Sequence, residues 1–414
     1  MLTDTNRDKQ KNTLYDCIII GGGISGISFA HYLHQQKITA LILEKEDRIG
    51  GQVKTGYSDT HPHFWYEMGP HTCYNSYENF QYIIKDTTDE EIIQPMLKYS
   101  YMLYKKGKIK SLFAGVYILP LLFRFPLYFF RKRTNKTVRQ YFKAIVGKSN
   151  YNRLFTRAFR AVLCQNADEY PAEMFLKKRS VRDEYLPRKY TFKRGFTNLL
   201  ETIIKKDNLN IRTSTEVVSI EKISDEKGVS IFKVTINTGE VYYTPKVVLA
   251  TDPVTTSHLI KDIDKDIAGL LSTIPLFRSE SVNVILPKDK VSVKEIAGII
   301  PMSDEFLSVV SRDLVEDTEL RSFTFHFEKG KSEEEKLSII CKVLGVNGSD
   351  IIEQKILSHI LPSVRLQHLY LEDRLNEMRK EKKIYIIGNY FLGLSLEDCV
   401  QRARNESERF ILDR

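Results

Sequence analysis

Apolar residues along this chain fall into three kinds of pattern. Short unbroken runs are the first: residues 17–20, 39–43, 246–250 and 383–387. Runs of this kind predict buried strands, the first of them covered on both faces as in a parallel sheet. Helical spacing is the second. Ile27, Ala30, Tyr32 and Leu33 place a helix over 25–36, and Val138, Tyr141, Phe142 and Ile145 place one over 137–147. Leu154, Phe155, Phe159, Val162 and Leu163 predict another over 150–164. A further helix is expected after Gly195, capped by Thr197 with Glu201 near its first turn. Alternation is the third. Residues 232–236 and 240–243 read as a hairpin turning on Asn237-Thr238-Gly239. From 262 to about 379, strand-like pieces (282–286, 297–300, 323–327) alternate with a helical one over 332–344, which predicts a mixed sheet.

The joint between the first strand and the first helix carries the most specific chemistry. Gly21, Gly23 and Gly26 hold the three positions of G-x-G-x-x-G. They suit a tight turn, a close backbone approach to a pyrophosphate, and close packing of helix on strand. Gly22, Ile24 and Ser25 complete the turn and open a helix whose first N–H groups suit an anion. The second strand ends on Glu44, 18 residues after Gly26, where an acid meets a ribose hydroxyl; Lys45 follows it. Strand, glycine turn, helix, strand and acid in this order are the context a dinucleotide site requires.

Residues 112–130 are the most apolar stretch, and Arg131-Lys132-Arg133 follows them. They are long enough for a membrane span. Pro120, Pro126 and Arg124 count against a span. Two other readings stay open: a surface lying on anionic lipid, and a buried wall or lid of a substrate channel.

Composition narrows the class. The chain has 414 residues, 42% hydrophobic and 28% charged, so a sizeable core in two or three domains is expected. A net charge of +9 suits an anionic cofactor, an acidic substrate or a membrane surface, and no nucleic-acid motif accompanies it. Five cysteines without C-x-x-C argue against a disulfide framework or zinc site and favour a reducing compartment. Residues 1–13 are polar, with no apolar core of a signal peptide. His326, His359 and His368 lie far apart in the chain and lack ligand spacing, so no metal is expected.

Further residues carry a resemblance. Arg48, Gly50, Gly51 and Gln52 form R-x-G-G-Q after the ribose acid, and Gly69-Pro70-His71-Thr72 follows Glu67. This resembles the FAD-binding amine oxidase superfamily, which includes monoamine oxidases, carotenoid desaturases and protoporphyrinogen oxidases. The resemblance implies that Arg48 and the paired glycines lie along FAD and that the Gly-Pro turn passes beside its isoalloxazine ring. It also implies that Val217 contacts the adenine from a strand over 210–220. Gly388-Asn389 and Leu394-Ser395-Leu396, with Asp398 in the next helix, would face the pyrophosphate and ribitol. The helix pair at 137–164, the segment 165–171 and the G-N-Y-x-x-G-L-S-L-E-D-C-V ending are most similar to the protoporphyrinogen oxidase branch.

What the resemblance implies is an α/β chain with a Rossmann-like FAD-binding domain (1–80, 205–262, 380–414). That domain is interleaved with a helical insertion (81–204), lining a substrate channel or facing a membrane, and with a mixed-sheet substrate domain (263–379). The implied activity is hydride transfer from a small substrate to FAD, with reoxidation by oxygen or a quinone and a porphyrinogen as the leading substrate. The alternatives are an oxidation in amine or sugar-linked metabolism, and a non-catalytic FAD-binding homologue. A cytoplasmic location is expected, with peripheral membrane contact through 112–133 as an alternative. No catalytic residue stands out. Arg124, Arg131 and Arg194 are candidates to meet substrate carboxylates.

Overall fold

In a computed structural model, which describes residues 15–88, 90–124, 126–224, 228–379, 381 and 383–413, the unbroken apolar runs lie side by side. The tail over 1–13 falls outside the described residues. The strands Asn210–Arg212, β2 (Ala40–Leu43), β1 (Cys17–Ile20), Val247–Leu249 and Ile384–Ile386 form one parallel sheet in that order. Both faces of β1 are covered. Cys17 and Ile19 pack on α1 (Ile24–Gln35) and the C-terminal helix Leu396–Leu412, while Ile18 and Ile20 face the core shared with residues 138–175 and 217–274. An edge-to-face contact of Phe29 with Phe410, ring centroids 5.8 Å apart, joins the two helices.

A second, mixed sheet has seven strands in the order Glu353–Pro362, Leu276–Pro287, Leu320–Glu328, Ser308–Ser311, Gly298–Pro301, Tyr101–Lys105, Lys108–Ser111. Its register separates two faces. Val282 pairs with Phe325 and Val284 with Phe323 on one; Ser281 pairs with His326 and Asn283 with Thr324 on the other. The apolar face packs on Ile340, Val343 and Leu344 of the helix Glu333–Leu344, whose start is closed by a Ser332/Glu335 capping box. The opposite face is polar and also buried. Its last two strands come from the stretch expected to be a helical insertion, because Tyr101–Lys105 pairs in parallel with Gly298–Pro301.

Several local expectations change. The predicted strand over 210–220 is two strands in different sheets, broken at 213–216 where Ser214 takes a positive φ of 51°. The helix after Phe192 starts at Gly195, not under a Thr197 cap. Thr197 instead exchanges backbone and side-chain hydrogen bonds with Thr55 at 2.9 and 3.0 Å. The helix over 150–164 begins with a π turn, Tyr151–Phe155. Phe159 and Leu163, four apart, take its core face, and Val162 is 56% exposed. Residues 112–124 and 126–130 form short helical pieces that point large apolar side chains outward, so the buried-wall reading fails. No helix among the described residues is long and apolar enough to cross a membrane.

Candidate cofactor and substrate site

The glycine turn sits at the carboxyl ends of the parallel strands, where open α/β sheets bind ligands. Gly22 N–H donates to Glu44 Oε2 at 2.7 Å, and Gly50 N–H donates to Gly22 O at 2.8 Å. Three separate motif segments are thereby fixed to one another. A Cβ on Gly26 would stand 2.1 Å from Gly21 O, so glycine there is a packing requirement. Gly23 is different. It has an ordinary φ of −78°, and a Cβ there would find its nearest neighbours, Gly50 O and Gly51 Cα, at 3.8 and 3.9 Å. The fold does not need glycine at 23, and the open space beside it is where a phosphate would approach. No side chain caps the first turn of α1, which leaves N–H donors for an anion. These residues fit the pyrophosphate of FAD.

Other expected contacts arrive around this turn. Glu44 is buried, and its Oε1 accepts from Glu46 N–H at 2.9 Å; Lys45 is exposed at the rim. Arg48 spends its guanidinium on the carbonyls of Ile49, Gly51 and Val53 and on Glu46, 3.2 Å away. Its role in this geometry is to shape the Gly50-Gly51 turn. Ser214 and Thr215 donate to Glu46 O and Glu44 O, which brings the buried Val217 to this edge. At the C-terminal end, Gly388 (φ 153°) and the half-buried Asn389 follow Ile384–Ile386. Ser395 then caps the last helix, and Leu396, Cys399 and Val400 pack in one cluster with Ile24 and Ile27. The two helix N-termini therefore lie together. Half-buried Leu394 packs on the main core. The Asp398 carboxylate is already engaged by Ser395 Oγ at 2.6 Å and by Lys177 and Arg179 at 3.0 Å. Glu397 turns the other way and accepts from Asn79 and Phe80 N–H, closing the start of the helix Glu78–Thr87.

The polar face of the mixed sheet meets the Gln52 and Gly69 segments. A Cβ on Gly69 would lie 2.1 Å from Gln52 O, and Thr324 Oγ1 donates to Glu67 O at 2.8 Å. A chain of hydrogen bonds starts there. His359 Nδ1 donates to Gln52 Oε1 at 2.9 Å, which leaves its Nε2 as an acceptor for Ser281 Oγ–H at 2.8 Å. Ser281 Oγ in turn accepts from His326 Nδ1–H at 2.8 Å, so the free lone pair of His326 is on Nε2. Both rings are buried. Burial first, and then the neighbouring His359 and His71, lower His326 to about 3; burial, opposed by a hydrogen bond to the Met68 backbone, lowers His359 to about 4. Both are therefore neutral near pH 7. His71 Nδ1 lies 3.3 Å from Gly69 O, Pro70 and Thr72 flank it half-buried, and burial lowers its imidazole as well. Asn283 Oδ1 on the same sheet face is buried without a protein partner. Glu67 accepts from Phe196 N–H and Thr55 Oγ1, and burial pushes its carboxyl up to about 8.

Sequence reasoning set His326 and His359 aside because they lie far apart in the chain. The register of three strands brings both onto Ser281. His368 is elsewhere, beside Thr273. The period-2 alternation of polar residues in 279–283 and 322–326 was the available signal. Arg124, Arg131 and Arg194 are all exposed. Among the described residues one other His/Asp cluster occurs, His31 with Asp86 and Asp207; its 2.7 Å contact to Asp207 ties α1 to the end of the helix Gly195–Lys206.

Comparison with known proteins agrees with this geometry. Residues 24–285 match the sequence profile of the flavin containing amine oxidoreductases. Canine amine oxidase [flavin-containing] A is 45% identical over 42 residues, 10% of this chain and 8% of that protein. A probable UDP-galactopyranose mutase of Klebsiella pneumoniae is 24% identical over 234 residues, 50% of this chain and 57% of that protein. The matches thus span about a tenth of the first amine and polyamine oxidases and just over half of the mutase. A candidate protoporphyrinogen oxidase from Exiguobacterium sp. 255-15 has the same fold, with TM-score 0.76 at 16% identity over 97% of this chain and 99% of that one. With the profile covering more than half of its length, this chain belongs to the flavin containing amine oxidoreductase family, and its cofactor is FAD.

Proposed function

We propose that this protein oxidises a porphyrinogen-type small molecule by hydride transfer. The observation that carries an oxidation chemistry is the buried, neutral hydrogen-bond chain from Gln52 to His326 beside the Gln52 and Gly69 segments. Bound FAD supplies the hydride acceptor, regenerated by oxygen or a quinone. The chain's own residues handle the rest. Removing hydride from a meso CH2 and a proton from the N–H of an adjoining pyrrole leaves a C=C bond from the meso carbon to that ring, conjugated with a C=N bond inside it. His326 Nε2 is an unprotonated nitrogen that can accept a hydrogen bond from this N–H and orient it; burial leaves the imidazole too weak a base to keep the proton, which passes to solvent. Gln52, His359 and Ser281 fix the tautomer that leaves this nitrogen free. The porphyrinogen assignment is supported by the fold shared with the Exiguobacterium protein and by the segments 137–171 and 388–400.

The mutase match, wider than the amine oxidase matches, favours one second reading: flavin chemistry on a sugar-linked substrate. The test is an absorbance spectrum of the purified protein followed by anaerobic addition of protoporphyrinogen, coproporphyrinogen or UDP-galactopyranose. Flavin bands that bleach with a porphyrinogen, and porphyrin fluorescence that appears on admitting air, support the proposal. A reaction with the nucleotide sugar alone moves the assignment to the second reading. Flavin that answers to none of a broad panel, amines included, points to a non-catalytic FAD protein.

A further inference from the structure

We propose that residues 112–124 and 126–136 form a docking surface for an anionic lipid bilayer. The first observation is exposure. The helix Ile118–Arg124 has no buried residue, and Phe113, Phe123 and Phe130 are 80, 83 and 84% exposed. Ile118, Leu119 and Leu122 point outward beside them. Elsewhere exposed large apolar residues are scattered, which is normal for any protein surface. Here they follow one another over two short helices, an arrangement that marks a contact surface. The segment is anchored from beneath. Leu121 packs on the main core and Arg124 reaches Ala144 O, so its outward face is held out by the fold.

The second observation is charge, and it identifies the occupant. Residues 92–167 contain 16 Lys and Arg and no Asp or Glu. The whole chain is +9, so the remainder is net −7. Five of these cations, Arg124, Arg131, Lys132, Arg133 and Lys136, lie in the apolar segment itself, and others, such as Arg139 and Arg160, pair with Asp168 and Asp304. Exposed Arg124, Arg131 and Lys132 collar it. On one side, Arg153 stacks 4.5 Å over the Tyr117 ring and also lines a cleft of about 880 Å³ with Lys105, Lys106, Arg157 and the Lys342–Glu305 pair. A polyanion such as RNA would use the cations but leave the Phe and Leu side chains in water. A protein partner would cover the apolar residues but has no need of an acid-free stretch this long. A bilayer surface with anionic headgroups takes both, with apolar side chains at the acyl boundary and Lys and Arg among the phosphates. Pro120 and Pro126 keep the pieces short and interfacial.

The test is co-sedimentation of the full-length, flavin-loaded protein with vesicles of phosphatidylcholine alone or mixed with phosphatidylglycerol. The double variants Phe123→Asp/Phe130→Asp and Arg131→Glu/Lys132→Glu alter only exposed residues, and their flavin content and melting temperature verify the fold. Wild type should pellet with the mixed vesicles, less with phosphatidylcholine, and less as salt rises. The apolar variant should lose pelleting at every salt concentration. Charge reversal should weaken binding at least roughly fivefold per residue. Three outcomes overturn the proposal. Wild type stays in the supernatant with anionic vesicles, the apolar variant pellets as wild type does, or that variant instead dissociates a salt-insensitive dimer, which would make the face an interface between copies of this chain.

Discussion

Replacing Gly23 with alanine separates what the fold needs from what the cofactor needs. The backbone at 23 has φ −78° and ψ 178°, which alanine adopts without strain. The added methyl would lie 3.8 Å from its nearest heavy atom, an ordinary contact. The apoprotein should therefore melt within the equivalent of about 0.5 kcal/mol of wild type, or slightly above it because alanine restricts the unfolded chain. FAD should bind less well, because the methyl occupies the space through which a phosphate reaches the first N–H groups of α1. Losing or stretching one charge-assisted hydrogen bond costs about 1.5–3 kcal/mol, or roughly 10- to 150-fold in Kd. Gly26→Ala is the opposite control. Its methyl would overlap a backbone oxygen at 2.1 Å, so strand and helix must part, at about 1–3 kcal/mol of fold stability. The assays are FAD titration of the apoprotein by fluorescence quenching and thermal melts of both apo variants. Wild-type FAD affinity in Gly23→Ala would refute the placement of the phosphate. An apo Gly23→Ala that melts as low as Gly26→Ala would refute the distinction between the two glycines.

Glu67 has a folded pKa near 8, above its usual 4.5, so its contribution to stability is complete below pH 4.5 and is lost as pH rises through 8. The unfolding free energy from urea titrations should fall by about 1.4 kcal/mol per pH unit across that window, and Glu67→Gln, which keeps the acceptor for Phe196 N–H, should flatten the slope. His326→Ala should lower the rate of anaerobic flavin bleaching by about 2- to 10-fold with flavin content unchanged, and unaltered stopped-flow rates would remove His326 as the group that orients the substrate N–H. Glu397→Ala strands the Asn79 and Phe80 N–H groups and should cost about 1–3 kcal/mol by chemical denaturation, with Glu397→Gln recovering part of it.

Some of this protein is written locally in its sequence. The glycine turn from Gly21 to Gly26, the acid Glu44 and the Gly50-Gly51 pair are legible because their spacing follows from short-range geometry. One tight turn, one helix start and one strand length fix where each residue must stand. The hairpin at Asn237-Thr238-Gly239 and the helix over 332–344 are legible for the same reason. Boundaries that depend on distant partners were not. Thr197 was available to cap a helix, and Thr55, 142 positions away, took it instead. Asp398 suited a cofactor contact, and Lys177 and Arg179 reached it across the fold.

The substrate side was decided almost wholly by tertiary structure. His326 and His359 are separated by 45 and 78 positions from Ser281. Nothing in their spacing predicts contact, because strand register in a seven-stranded sheet is set by the apolar face that packs on the helix Glu333–Leu344. Once Val282 and Val284 face Phe325 and Phe323, the alternate residues must form a second face, and burial of that face against Gln52 and Glu67 makes its histidines neutral. Residues 112–130 show the complementary limit. Their composition is equally that of a core, a span or a surface, since hydrophobicity is a property of the side chains, whereas which side is covered is a property of everything packed around them.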